Sequence, residues 1–105
     1  MSRIDPKATV HPTAVVGEHV AIFAGAWVGP RASIADHCEI GKNAIVGDNA
    51  ILGRHVKIRQ GAFVGTGAVI EAWAVIGKYA TIKRRSLVRE KAIVGQHAIV
   101  NGRES

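Results

Sequence analysis

The chain has one cysteine, one methionine, three prolines, and only two tryptophans, two phenylalanines and a tyrosine in 105 residues. A lone thiol, Cys38, excludes an intrachain disulfide and any Cys–Cys zinc pair, so neither a crosslink nor a structural metal substitutes for packing. The opening MSRIDPK is charged but is followed by no apolar stretch of the signal-peptide kind, and no run reaches the roughly 18 apolar residues of a membrane helix. Residues 1–105 therefore read as a single soluble, cytoplasmic domain without linkers or membrane contact. Acidic residues are also few, eight against fourteen lysines and arginines, and the formal charge of +6 suits a small anionic ligand as well as it suits a soluble surface. Aromatic and basic residues do not interleave as stacking platforms for a nucleic-acid strand would, which argues against nucleic acid as a partner.

Two further absences concern pattern. Neither the two-residue alternation of a half-buried strand nor the 3.6-residue beat of a helix runs through the chain. A six-residue beat does. Stepping from Ile4 through Val46, Leu52 and Ile58 to Val100, all seventeen positions are aliphatic. Two residues before each lies a small side chain, mostly alanine, with Cys38 and Ser86 among the exceptions. Strand residues two apart point the same way, so each hexad offers one large and one small inward side chain. The remaining residues must turn the chain. Pro6, Pro12 and Pro30 each fall two residues after an aliphatic position, and Gly25, Asn43, Asn49, Gly61, Gly67, His37 and His55 follow at the next place. Proline second and glycine or asparagine third is the signature of a type II turn, whose third residue needs a positive φ. Arg31, Trp73, Tyr79 and Arg85 occupy that slot less comfortably.

Short strands separated by regular corners predict an all-β solenoid, a parallel β-helix. The hexads resemble those of the left-handed β-helix in hexapeptide-repeat acyltransferases, and the resemblance covers essentially the whole chain. It implies a triangular solenoid of eighteen residues per coil, between five and six coils here, with no inserted loops. Residues eighteen apart would then stack at about 4.8 Å. On that geometry one outward face carries Trp27, Ile45 and Phe63, the next Ile51, Val69 and Leu87. Two adjacent apolar faces outside an already filled core mark an interface. Relatives of this fold are commonly homotrimers, which makes these six residues the expected contacts between subunits.

His19, His37 and His55 lie eighteen apart and should form a column on one corner, followed by Trp73 and Lys91. Such a column could hold a metal or pass protons, although histidine also suits a positive-φ turn. The segment SIADHCEIG, Ser33–Gly41, is similar to the His-Asp-Cys segment of UDP-N-acetylglucosamine acyltransferases and related sugar N-acyltransferases, whose histidine is the general base. Here the order is Asp36-His37-Cys38, so Asp36 holds the family's histidine position. If catalysis occurs, the resemblance implies His37 and His55 lining a cleft between subunits, with Arg84, Arg85 and Lys91 as contacts for the phosphates of acyl-CoA or CoA. Arg103 lies one eighteen-residue step beyond Arg85 and extends that basic group, while Arg89 has Glu71 as a potential ion-pair partner one coil earlier. Gamma-class carbonic anhydrases share the architecture, but their histidine spacing is absent, and no metal ligand set is assigned. Active relatives usually carry a substrate loop and a carboxyl-terminal helix, neither of which is encoded. The first reading is accordingly a minimal structural or assembly scaffold without its own catalysis; the alternative is an acyl-CoA-dependent acyltransferase, and the second alternative a histidine-column metal-binding protein. All three use clefts or faces shared between subunits. Sedimentation equilibrium at micromolar concentration should give three chain masses; a monomer would remove the inter-subunit cleft.

Overall fold

The structure, a computed structural model, describes residues 1–104. Every strand is two residues long, and the strands fall into three six-stranded parallel sheets that form the three faces of a left-handed β-helix. The first face comprises Arg3–Ile4, Ala21–Ile22, Glu39–Ile40, Lys57–Ile58, Val75–Ile76 and Ile93–Val94. The second comprises Thr9–Val10, Trp27–Val28, Ile45–Val46, Phe63–Val64, Thr81–Ile82 and Ile99–Val100. The third comprises Val15–Val16, Ser33–Ile34, Ile51–Leu52, Val69–Ile70, Leu87–Val88 and Arg103–Glu104. Among the described residues no helix is long and apolar enough to cross a membrane.

Register confirms the eighteen-residue coil. Val64 pairs with Val46 on one side and Ile82 on the other, so the three side chains lie one above the next on a single wall. The large row, including Val28, Ile40, Val46, Ile58, Val64 and Ile76, is fully buried, and so is the small row of Ala44, Ala50, Ala62, Ala68 and Ala74. A triangular prism narrows toward each corner, so a corner-adjacent position accepts only a small side chain while mid-strand positions fill the centre. The first coil is open at its outer end. Ile4 exposes 46% of its surface, and Val10 and Val16 are only half-buried.

The corners explain the third turn position. From the second coil onward that residue has a left-handed φ, between 59° and 67° at His37, Asn43, Asn49, His55, Trp73, Tyr79, Arg85, Lys91 and His97. This conformation costs a residue other than glycine about 1–2 kcal/mol. It turns the central peptide of the corner along the solenoid axis, so that the third residue's N–H meets a carbonyl of the preceding coil. His55 N–H donates to Asp36 O at 3.0 Å, Gly67 N–H to Asp48 O at 2.8 Å, and Arg85 N–H to Thr66 O at 2.9 Å. Such a bond contributes about 0.5–1.5 kcal/mol net, and leaving the groups unpaired would cost more. Trp73, Tyr79 and Arg85 are held in this conformation by the ladder despite their size, whereas the Arg31 N–H donates to the Thr13 hydroxyl at 3.0 Å.

The type II expectation fails at the two proline corners of the first coil, where Lys7 and Thr13 lack a positive φ. No earlier coil offers them a carbonyl. Local side chains close these turns instead: Lys7 N–H donates to Asp5 Oδ1 at 2.8 Å, and Thr13 N–H to His11 Nδ1 at 3.1 Å. The other end departs as well. Arg103 pairs with Leu87, a step of sixteen residues, because the last corner is shortened through Gly102 at φ 102°. Buried Ser86 makes the short corner possible, since its Oγ accepts the Gly102 N–H at 2.9 Å where alanine could not. Arg103 therefore lies on the third face and not on the corner above Arg85.

Replacing Ile58 by alanine removes a fully buried side chain from a row that cannot collapse without breaking register. Ile58→Ala should cost about 2–5 kcal/mol, read as a lower midpoint in urea unfolding.

Candidate functional site

The corner joining the third face to the first carries His19, His37, His55, Trp73 and Lys91 at equivalent positions. Because the backbone ladder places each Cα above the last, the rings stack. Centroid separations are 5.0 Å for His19–His37, 4.7 Å for His37–His55 and 3.9 Å for His55–Trp73, with interplanar angles of 9°, 8° and 4°. Alongside runs a shallow cleft of about 460 Å³ lined by His19, Ala21, His37, Glu39, His55, Lys57 and Trp73. Glu39 and Lys57, neighbours across the first face, place a carboxylate and an ammonium on the wall opposite the imidazole edges. This arrangement can offer ring N–H and ring nitrogen to one ligand from two successive coils.

The same stacking works against a metal. Parallel rings about 5 Å apart keep their in-plane nitrogens a full rung from one another, whereas zinc requires each nitrogen at about 2.0–2.1 Å from one point. Among the described residues no group of three histidine, cysteine, aspartate or glutamate side chains is placed to hold a metal ion.

Asp36, which stands at the base position of the resembled segment, is exposed, and its Oδ1 accepts the Glu18 N–H at 2.9 Å. His37 is exposed and sandwiched between two rings, while His55 is half-buried above Trp73. Cys38 points inward, its Sγ donating to Gly53 O at 3.0 Å, and burial pushes its pKa from 9.0 up to about 11. It is core and not nucleophile.

The basic residues lie elsewhere. Arg84 and Arg85 sit on the corner between the second and third faces, separated by the whole third face from the corner of Lys91. Within one chain, then, the structure does not bring the five sequence-assigned residues together: His37, His55 and Lys91 share one edge, Arg84 and Arg85 another. Two adjoining clefts open at the basic edge. One, of about 420 Å³, is lined by Phe63, Gly65, Thr66, Thr81, Lys83 and Arg84, and the other, of about 550 Å³, by Thr66, Arg84 and Arg85. Phe63 supplies an apolar wall and the cations a rim. Among the described residues the one ion pair joins the amino terminus to Glu18 at 3.4 Å, so these cations have no carboxylate partner there. Nor is an Arg89–Glu71 pair formed: Glu71 Oε1 instead accepts the Glu90 N–H at 3.0 Å. Sequence reasoning did not assign Lys83, Thr66, Glu39 or Lys57 to a site: stacking at eighteen residues places Glu39 and Lys57 in one outward column, but not beside the histidine rings.

Of the six proposed contact residues, Trp27, Ile45, Phe63 and Ile51 are exposed, and Val69 and Leu87 are half-buried. They form two straight columns, Trp27–Ile45–Phe63 and Ile51–Val69–Leu87, on the faces that meet at the basic corner.

Repeat, register and handedness define a hexapeptide-repeat β-helix of the acyltransferase type. The chain belongs to the GMPPB C-terminal domain family, which it matches over residues 1–103. No curated protein sequence matches it. Among solved structures it is similar to the acetyltransferase domain of PglB from Neisseria gonorrhoeae FA1090, with 25% identity and a TM-score of 0.99 over 100% of this chain and 51% of that one. The same domain in complex with acetyl coenzyme A matches at 25% identity and a TM-score of 0.97, over 98% of this chain and 50% of that one. A perosamine N-acetyltransferase from Caulobacter crescentus, in complex with CoA and GDP-perosamine, shares the fold at 24% identity and a TM-score of 0.75, covering 95% and 50%. The chain spans about half the length of these relatives.

A thiol with a pKa of about 11 is about one part in a thousand thiolate at pH 8. Cys38 should therefore resist iodoacetamide in the native protein at pH 8 and react only in denaturant, as mass spectrometry of the labelled chain would show.

Proposed function

We propose that the protein is the β-helical, acyl-donor-binding part of a sugar-acyltransferase-type assembly, acting as a cytoplasmic homotrimer in which adjacent subunits complete each site. The observation that carries this reading is the pair of clefts at Phe63, Thr66, Lys83, Arg84 and Arg85, an apolar wall beside cations that lack a carboxylate partner among the described residues. An acyl-pantetheine arm with phosphates at one end matches that surface. Support comes also from the PglB acetyltransferase domain, whose structure contains acetyl coenzyme A. A cyclic trimer makes heterologous contacts, in which one subunit's corner meets a different surface of its neighbour. The histidine corner of one chain and the arginine corner of the next can then flank one cleft, although a single chain keeps them apart. In that cleft His37 or His55 is the group able to take a proton from an acceptor amine or hydroxyl.

The scaffold reading keeps one observation in its favour. Asp36 stands where the resembled sugar acyltransferases have their base and is engaged by a backbone N–H, so a chain of this kind can retain assembly alone, without acyl-donor binding or turnover.

Calorimetry with CoA and acetyl-CoA separates the two. Saturable binding by the trimer, weakened about tenfold or more by Arg84→Ala or Arg85→Ala, is the expected result; heats indistinguishable from dilution across acyl donors would leave the scaffold.

A further inference from the structure

The chain has three asparagines, and two of them belong to the corner ladder. Asn43 and Asn49 have a left-handed φ of 60°, and each precedes a buried alanine whose N–H closes its own corner. Ala44 N–H donates to Gly41 O at 3.1 Å, and Ala50 N–H to Gly47 O at 3.2 Å. Asn101 differs in each respect. It is exposed, it precedes Gly102, and it opens the shortened last corner. Among the described residues no atom lies within 4 Å of the place where a Cβ on Gly102 would stand. Two bonds hold that glycine. Its N–H donates to Ser86 Oγ at 2.9 Å, and its carbonyl accepts the Leu87 N–H at 2.7 Å.

We propose that Asn101 is a self-modifying site, losing its side-chain amide through a succinimide formed with the Gly102 nitrogen, and that the Ser86 hydroxyl sets the rate. The Gly102 nitrogen gives its proton to solvent base and attacks Asn101 Cγ. A C–N bond forms, and the side-chain nitrogen leaves as ammonia. Water then opens the ring at either carbonyl, giving aspartate or isoaspartate, so the net reaction exchanges ammonia for water without oxidation or reduction. Glycine hinders this attack least, because it has no Cβ beside the nitrogen and the widest backbone freedom. The nitrogen must first leave its acceptor. Ser86 Oγ donates to Val100 O at 3.4 Å, which leaves a lone pair for the Gly102 N–H and keeps that nitrogen engaged. The product alters the corner in two ways. Isoaspartate lengthens the backbone by one atom, which moves Gly102 O out of register with the Leu87 N–H. A carboxylate also appears on the basic edge: Lys83 N–H donates to Val100 O at 2.9 Å, so residue 101 stands one coil beyond Lys83. An anion there weakens the attraction of Lys83 and Arg84 for phosphate groups, a consequence that rests on the acyl-donor reading, whereas the modification itself does not.

The other two asparagines are the internal control. The native protein is incubated in mildly alkaline buffer beside a free peptide of residues 100–105, and peptide mapping with electron-transfer fragmentation follows each amide and distinguishes aspartate from isoaspartate. The expected result is acid at Asn101 and at neither Asn43 nor Asn49, formed more slowly than in the peptide and faster as pH rises. Ser86→Ala supplies the residue most other coils carry at this place, so the β-helix should persist, as circular dichroism confirms. It should speed the conversion of Asn101 about three- to tenfold, the worth of one hydrogen bond. The proposal is overturned if Asn101 keeps its amide after the peptide has converted, if Asn43 or Asn49 converts as fast, or if Ser86→Ala leaves the rate unchanged. Calorimetry with CoA keeps the two readings apart. Conversion of Asn101 in a protein that gives no heat with CoA supports this site and counts against the acyl-donor reading, while CoA binding by a protein whose Asn101 stays an amide does the reverse.

Discussion

The rest of the molecule depends on one closure condition: after eighteen residues the backbone must return directly above itself, so that the peptides of both strand and corner bond to the next coil. Two-residue strands are too short to be stable alone. They persist because each peptide is part of a ladder running the length of the prism, as in the Val46–Val64–Ile82 wall. The corner peptides belong to the same ladder, and that is why bulky side chains such as Trp73 and Arg85 adopt a conformation they would otherwise avoid.

Exact superposition also decides what kind of chemistry the surface can carry. In most folds a site is assembled from residues scattered along the chain; here a residue type repeated at eighteen becomes a column. Histidine at three successive turns gives stacked rings, with nitrogens spread along an axis and not converging on a point. That geometry disfavours chelation and favours ligands that lie along a groove. Clefts run beside the two chemically distinctive corners, and those corners are separated by the third face. A site needing both has to be shared between subunits.

The ends show the closure condition by its exceptions. Lys7 and Thr13 have no earlier coil to bond to, and they keep ordinary turns stabilised by Asp5 and His11. At the other end the step shortens to sixteen, and a hydroxyl at Ser86 takes the place of a peptide partner. Reading the repeat as uniform put Arg103 above Arg85, and this is the point at which periodicity alone misleads.

Fold, coil length, core rows and outward columns were legible in the sequence, since a side chain's inward or outward direction follows from its place in a six-residue count. The same count identified the histidine column and the two apolar faces. Other features were decided in three dimensions. The stacking of His55 on Trp73, the failure of Arg89 to pair with Glu71 and the clefts at Thr66 and Lys83 depend on rotamers and neighbours one coil away. A one-dimensional repeat specifies which positions superpose, but the contacts between superposed side chains are set by packing across coils, where sequence distance carries no information about ring orientation or hydrogen-bond choice.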